Sequence, residues 1–276
     1  MKMLDVNSEK NKVVLLVHPM LSSAQGMKQL LSDQMGNEYR YLIPDLSAHG
    51  EAATIPYLSA KRESEYIYEY LKTHQIDELD LAFGASLGAV VLLQLLNYKD
   101  IKIHKAVFEG CSVWQASRLH EVFTRIFFIY KHRRAIKNRS LAVKKIVALY
   151  GETAEVMADN FITMDEDSIR HICHDCAFVE LPSLSKEEQL NCTFLYGSKE
   201  FDLIGARRIL PEKYPFAKMK IWNGYQHCTK LTSDPLAYGD MLKNEMISNR
   251  ILGKLVANCE SRIPTIGKML RNLKSI

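Results

Sequence analysis

The sequence predicts an α/β protein: a mostly parallel sheet flanked by helices, with a helical cap inserted between two of its strands. Three observations carry that expectation. Short continuous apolar runs, such as Val13 to Val17 and Leu79 to Phe83, read as strands buried on both faces, as in a parallel sheet. These runs alternate with segments of helical spacing, which parallel strands need as crossovers. Between Ser112 and about Leu190 the helical character continues with no strand-like run.

The chain has 276 residues, enough to bury a full core as one domain with an insertion. Its composition, 47% hydrophobic and 25% charged, is that of an ordinary globular protein. A formal net charge of +4 does not argue for nucleic acid, and no nucleic-acid motif is present. The first twelve residues lack the apolar core of a secretory signal. No apolar run approaches the roughly twenty residues that span a bilayer. Six scattered cysteines suggest reduced thiols, so a cytoplasmic location is expected.

Taken in order, KVVLLVHP (Lys12 to Pro19) is a buried strand that ends in the loop His18-Pro19-Met20. A helical stretch from about Ser23 to Gly36 follows, then the strand Tyr39 to Pro44 and the loop Asp45-Leu46-Ser47-Ala48-His49-Gly50. Helical spacing over Ser59 to His74 puts Ile67, Tyr70 and Leu71 on one side. The apolar run from Leu79 then passes through Gly84-Ala85-Ser86-Leu87-Gly88 into the apolar helix Ala89 to Leu96. KAVFE (Lys105 to Glu109) is the next strand. The core therefore divides into 1–111 and 191–247 around a cap at 112–190, with a basic amphipathic tail at 248–276 broken at Pro264. The cap's first half, Arg118 to Lys145, is strongly basic, and its second half, Glu152 to Glu188, is acidic. Mutual pairing across a solvated face accounts for this, and attraction of anionic or lipid-surface substrates is the sharper reading. Strands at Cys192 to Tyr196 and Lys218 to Trp222 resume the sheet, and a helix is expected from Leu236 to Glu245.

A strand that turns into a helix through G-x-S-x-G makes a nucleophile elbow. Its serine sits on a cramped turn, so small residues must flank it, and the helix N–H groups point where an oxyanion develops. A serine hydroxyl needs a positioned base, itself oriented by a carboxylate, in the chain order nucleophile, acid, histidine. Ser86, Glu200 and His227 meet that order, and each follows directly on a strand. Asp202 is the nearby alternative acid, and Glu109, at the end of the preceding strand, is another. His18 and His49 lie on the wrong segments for the base and read as loop-packing or pocket groups. Cys173-His174-Asp175-Cys176 with His171 has a metal-like look, but a lone C-x-x-C on a cap helix reads as packing. No metal and no cofactor is expected.

On these motifs, from about Lys12 to Glu245, the chain resembles the α/β-hydrolase fold family in its cap-bearing, serine-hydrolase branch. Asp45-Leu46-Ser47-Ala48-His49-Gly50 is similar to that family's P-D-x-x-G-H-G loop, and Gly197-Ser198-Lys199-Glu200 to its G-x-x-D acid loop, with glutamate for aspartate. His18-Pro19-Met20 matches its H-G-x oxyanion loop with proline for glycine. Proline has no N–H, so the resemblance implies that Met20 and Leu87 supply the oxyanion donors. Tyr225, Trp114, Phe123 and Phe127 are candidates to line an apolar acyl pocket. The expected activity is hydrolysis of a carboxylic ester or related small-molecule acyl substrate through an acyl-serine. Acyl transfer or carbon–carbon bond cleavage on the same fold, and a triad-retaining receptor, are the rivals. The basic tail and the cap offer surfaces for membrane contact; substrate identity and oligomeric state are not legible.

Overall fold

A computed structural model of the chain describes residues 1–151 and 155–247. The tail expected at 248–276 lies outside the described residues, as do 152–154 within the cap. Among the described residues, seven of nine strands form one sheet in the order β1-β3-β2-β5-β7-β8-β9. They are β1 (Lys2–Val6), β2 (Val13–Val17), β3 (Arg40–Asp45), β5 (Leu81–Ala85), β7 (Ala106–Glu109), β8 (Cys192–Gly197) and β9 (Lys218–Trp222). The short β4 (Glu78–Leu79) and β6 (Lys102–Ile103) pair with each other instead. Every pairing in the main sheet is parallel except that of β1 with β3. The central strands β2, β5, β7 and β8 are buried along their whole length, which is why they read as unbroken apolar runs.

Beyond shifts of a residue at strand ends, the sheet departs from the sequence expectation at one split strand and one added strand. The run from Leu79 splits at Asp80, whose carboxylate accepts the Val13 N–H at 2.9 Å; Leu79 joins β4 and the main strand begins at Leu81. The N-terminal residues, unremarked in the sequence, form β1, a half-buried antiparallel edge whose pairing only the tertiary fold supplies.

Helices fill both faces. One face is covered by α1 (Ala24–Met27), which runs through a π-helical turn, Lys28–Ser32, into α2 (Asp33–Met35). Ser23 caps it and Gly36, at φ 95°, ends it. The other face carries α3 (Ala60–Thr73), capped by Ser59, and α4 (Leu87–Leu95), whose nine residues are all buried. Between β7 and β8 come α5 (Arg118–Lys137), α6 (Arg139–Tyr150), α7 (Glu155–Thr163), α8 (Glu166–Ala177) and α9 (Lys186–Leu190). After β8, α10 (Asp202–Lys213) joins the α4 face, while α11 (Thr229–Ser233) and α12 (235–247) complete the α1 face. The basic and acidic halves of the insertion pair in part: Arg133 with Glu166 at 2.6 Å, and Arg139 with Asp159 at 2.6 Å. Among the described residues no helix is long and apolar enough to cross a membrane.

Candidate active site

Ser86 stands between β5 and α4 with φ 51° and ψ −115°, left-handed backbone that a serine adopts only under constraint, at about 1–3 kcal/mol. The constraint is visible. The Ser86 N–H donates to the Glu109 carbonyl at 2.8 Å, and its own carbonyl accepts from Ala89 and Val90. A Cβ at Gly88 would collide with the carbonyl oxygens of Val17 and His18, so only glycine lets α4 lie this close to β2.

Ser86, His227 and Glu200 come together although they are far apart in the chain. The Ser86 Oγ lies 2.8 Å from His227 Nε2, and His227 Nδ1 lies 2.9 Å from Glu200 Oε2. A carboxylate on Nδ1 places the imidazole proton there and leaves Nε2 to accept the serine proton. Glu200 sits in a fully buried side-chain position, and its second oxygen accepts the Gly197 N–H at 3.1 Å. That bond takes up the extra methylene of glutamate by folding the side chain back on its own loop. Burial pushes the Glu200 carboxyl up, and the bond from His227 pulls it back. The alternative acid Asp202 lies 4.0 Å from Nδ1 and is a neighbouring charge to the ring rather than its partner.

His227 is held from below by Gly110, at φ 58°, where a Cβ would stand 2.8 Å from Cε1 of the ring. Burial pulls the imidazole pKa down, but Cys228, Glu200 and Asp202 outweigh it and push it well above 6.5. The Cys228 thiol is itself pushed up by burial and stays neutral near pH 7, so the carboxylates supply the effective lift.

Glu109 is also buried at this edge. Its Oε2 accepts from the Tyr238 hydroxyl at 2.7 Å and from Trp222 Nε1 at 3.4 Å, while Oε1 has no partner. Burial, with Glu200 adding to it, pushes this carboxyl up to about 7. It does not bond to His227 but lies behind it.

Leu87 directly follows Ser86, and Met20 lies on the loop after β2, the strand paired with β5. Leu87 opens α4, so its N–H has no helical acceptor, and the Met20 N–H enters no backbone hydrogen bond among the described residues. The Met20 loop is pinned on both sides. His18 is buried and neutral, its pKa lowered to about 4 by burial; Nδ1 donates to the Pro19 carbonyl and Nε2 accepts the Leu46 N–H. From α7, the Asn160 amide donates to the carbonyls of Leu21, at 2.8 Å, and Ser22, at 3.2 Å. Leu21 has φ 74°, so this bond holds a strained turn directly after Met20. His49, buried beside His18 with ring centroids 5.0 Å apart, donates from Nδ1 to the Ser47 carbonyl.

The four aromatic candidates are placed differently from one another. Trp114 stacks on Phe201 at 5.4 Å. Tyr225 lies under the Lys230 ammonium at 5.4 Å and, through its carbonyl, accepts the Lys199 N–H of the acid loop. Phe123 and Phe127 face solvent on α5, stacked on each other at 6.5 Å. Three further residues escape the sequence reading: Gly110, Asn160, and Tyr150 at the end of α6, whose phenol lies in the field of His227, Cys228 and Glu200. No local pattern marks them, because each acts by proximity across the fold. In the Cys173–Cys176 segment, Asp175 accepts from the Tyr57 hydroxyl at 2.7 Å and ties α8 to the loop before α3. Among the described residues no group of three or more His, Cys, Asp or Glu could hold a metal ion.

No family model matches the chain, and no curated protein sequence matches it. Solved structures do. A carboxylesterase of Nitrososphaera gargenis superposes with a TM-score of 0.69 at 12% identity, over 90% of this chain and 94% of that one. A thermophilic esterase from Thermogutta terrifontis gives 0.67 at 12% identity, over 89% and 93%. An α/β hydrolase family protein from Desulfitobacterium hafniense gives 0.66 at 16% identity, over 88% and 99%. At such identities the likeness speaks for the fold.

Proposed function

We propose that this chain, which has the α/β-hydrolase fold, is a cofactor-independent serine hydrolase acting on a carboxylic ester or related acyl substrate. The observation that carries the reading is the continuous hydrogen-bonded line Ser86 Oγ, His227 Nε2, His227 Nδ1, Glu200 Oε2, at 2.8 and 2.9 Å. The esterases among the similar structures support it.

In this mechanism His227 Nε2 takes the Ser86 proton as the hydroxyl oxygen attacks the substrate carbonyl. Glu200 fixes the tautomer and stabilises the imidazolium that forms, without itself being protonated. The Met20 and Leu87 N–H groups bind the tetrahedral oxyanion, and the α4 N-terminus adds its partial positive charge. His227 then returns the proton to the leaving alkoxide, which departs as the alcohol. Water, deprotonated by the same nitrogen, attacks the acyl-serine; its collapse frees the acid and restores Ser86. Asn160 and His18 position the Met20 loop, and Gly110 leaves room for the ring.

A fluorophosphonate probe tests the assignment. The native protein is expected to label in proportion to its activity, and Ser86→Ala to lose both; labelling undiminished in that variant would refute the nucleophile.

A further inference from the structure

Helix α5 is apolar on two opposite sides. Phe128, Ile129, His132 and Ala135 turn inward, where Phe128 and His132 meet Phe161 of α7 and the helix packs on α8. Outward it presents Leu119, Phe123, Ile126 and Tyr130, which are 87%, 71%, 63% and 54% exposed. The spacing i, i+4, i+7, i+11 aligns them in one row along the helix. A folded protein rarely leaves such a row to water, and it marks an interaction surface.

Charge identifies what that surface meets. The row runs on into exposed Arg134 and Lys137, and α6 adds exposed Lys144 and Lys145. None of these four has a carboxylate partner among the described residues, whereas Arg133 and Arg139 are paired with acidic residues of α8 and α7. The sole acid between residues 118 and 150 is Glu121, itself bound to Arg125 at 2.9 Å. An apolar row that runs into cations lacking a carboxylate partner among the described residues matches a boundary that is apolar within and anionic at its rim.

We propose that the outer face of α5 docks on an anionic lipid surface. Leu119, Ile126 and their row enter the acyl boundary while Arg134, Lys137, Lys144 and Lys145 meet headgroup phosphates. A second copy of the same face brings the same cations and, among the described residues, no free carboxylate to meet them. The sequence of residues 248–276, with Arg250, Lys254, Arg262, Lys268, Arg271 and Lys274 against Glu260, is equally unsuited to cover them. This docking does not depend on the chemistry at Ser86, and binding rather than turnover reads it.

The test is co-sedimentation of the full chain with vesicles of phosphatidylcholine, with and without phosphatidylglycerol. Binding is expected only to the anionic vesicles and to weaken as salt is raised. Leu119→Glu with Ile126→Glu is expected to lower it at least about ten-fold, since two apolar anchors are lost and two repelling charges gained. Arg134→Gln with Lys137→Gln is expected to lower it about five-fold per cation removed. All four positions are exposed, and unchanged thermal melting of the variants verifies folding. Vesicle binding that persists undiminished in the Leu119/Ile126 variant overturns the proposal. So does a lipid-independent dimer of the native protein that this variant dissolves.

Discussion

Strand β7 carries a buried ionisable group at each end, and the two ends treat it in opposite ways. Just before the strand, Lys105 lies 3.0 Å from Glu245 of α12, which also takes Lys220 at 2.6 Å and Lys218 at 3.3 Å. Burial would push the Glu245 carboxyl up, but Lys220 and Lys105 hold it at about 2. At the other end Glu109 is left with one oxygen unpartnered and stands near 7. The same end holds a strained serine, a raised histidine and a second buried glutamate. Charge neutralised by partners contributes to stability, whereas charge kept poised is what proton transfer needs. A cleft of about 730 Å³ lies at the Lys105 end, lined by Lys99, Lys102, His104 and Glu188. Its serine, Ser185, caps α9, and its histidine, His104, pairs with Glu78.

The contrast breaks if substitutions at the two ends have interchangeable effects. Glu200→Gln is expected to lower kcat/KM by about 10³–10⁴-fold while leaving the fold intact, because the tautomer and the imidazolium both lose support. In the native protein kcat/KM should rise with pH through a midpoint above 6.5, since carboxylates favour charged His227 and the base must be neutral. The residual activity of the Glu200 variant should show a lower midpoint. Glu245→Gln is expected to do the reverse, costing about 3–5 kcal/mol in urea unfolding by leaving Lys105 buried and under-paired, with kcat/KM of the folded protein unchanged.

Glu109 makes the stability of its end of β7 depend on pH. Its folded pKa, about 7, lies above the ordinary 4.5, so the native state holds the proton more tightly than the unfolded chain. Its contribution is complete below 4.5 and is lost as pH rises through about 7. Glu109→Gln, which cannot ionise, should therefore gain on the native protein across that window, by up to ~3 kcal/mol on its alkaline side. Thermal melts at a series of pH values check it; a constant gap would mean that Glu109 is not poised. The smallest effect belongs to Asn160→Ala, expected to lower kcat about five- to ten-fold with KM little changed, because only the aim of the Met20 loop is lost.

What was legible follows the range of the interactions. Buried parallel strands announce themselves because both faces must be apolar, and Ser86 because its cramped turn requires Gly84 and Gly88. Loop order then led to His227 and Glu200. Loop order favours Glu200 but leaves Asp202 open as an alternative, since both follow β8, and the distances of 2.9 and 4.0 Å to the ring set them apart. Phe123 and Phe127 look like pocket aromatics in sequence because an outward apolar row is spelled like an inward one. Edge strand β1 was invisible for the opposite reason: half-buried and antiparallel, it has no pattern stronger than a loop's.

The most direct measurement is rapid acid quench of the protein mixed with p-nitrophenyl acetate, followed by peptide mass analysis. An acetyl group is expected on the peptide containing Ser86, formed as fast as the initial burst of nitrophenol. Steady nitrophenol release with no acyl group on Ser86, or with the acyl group on another side chain, would contradict it.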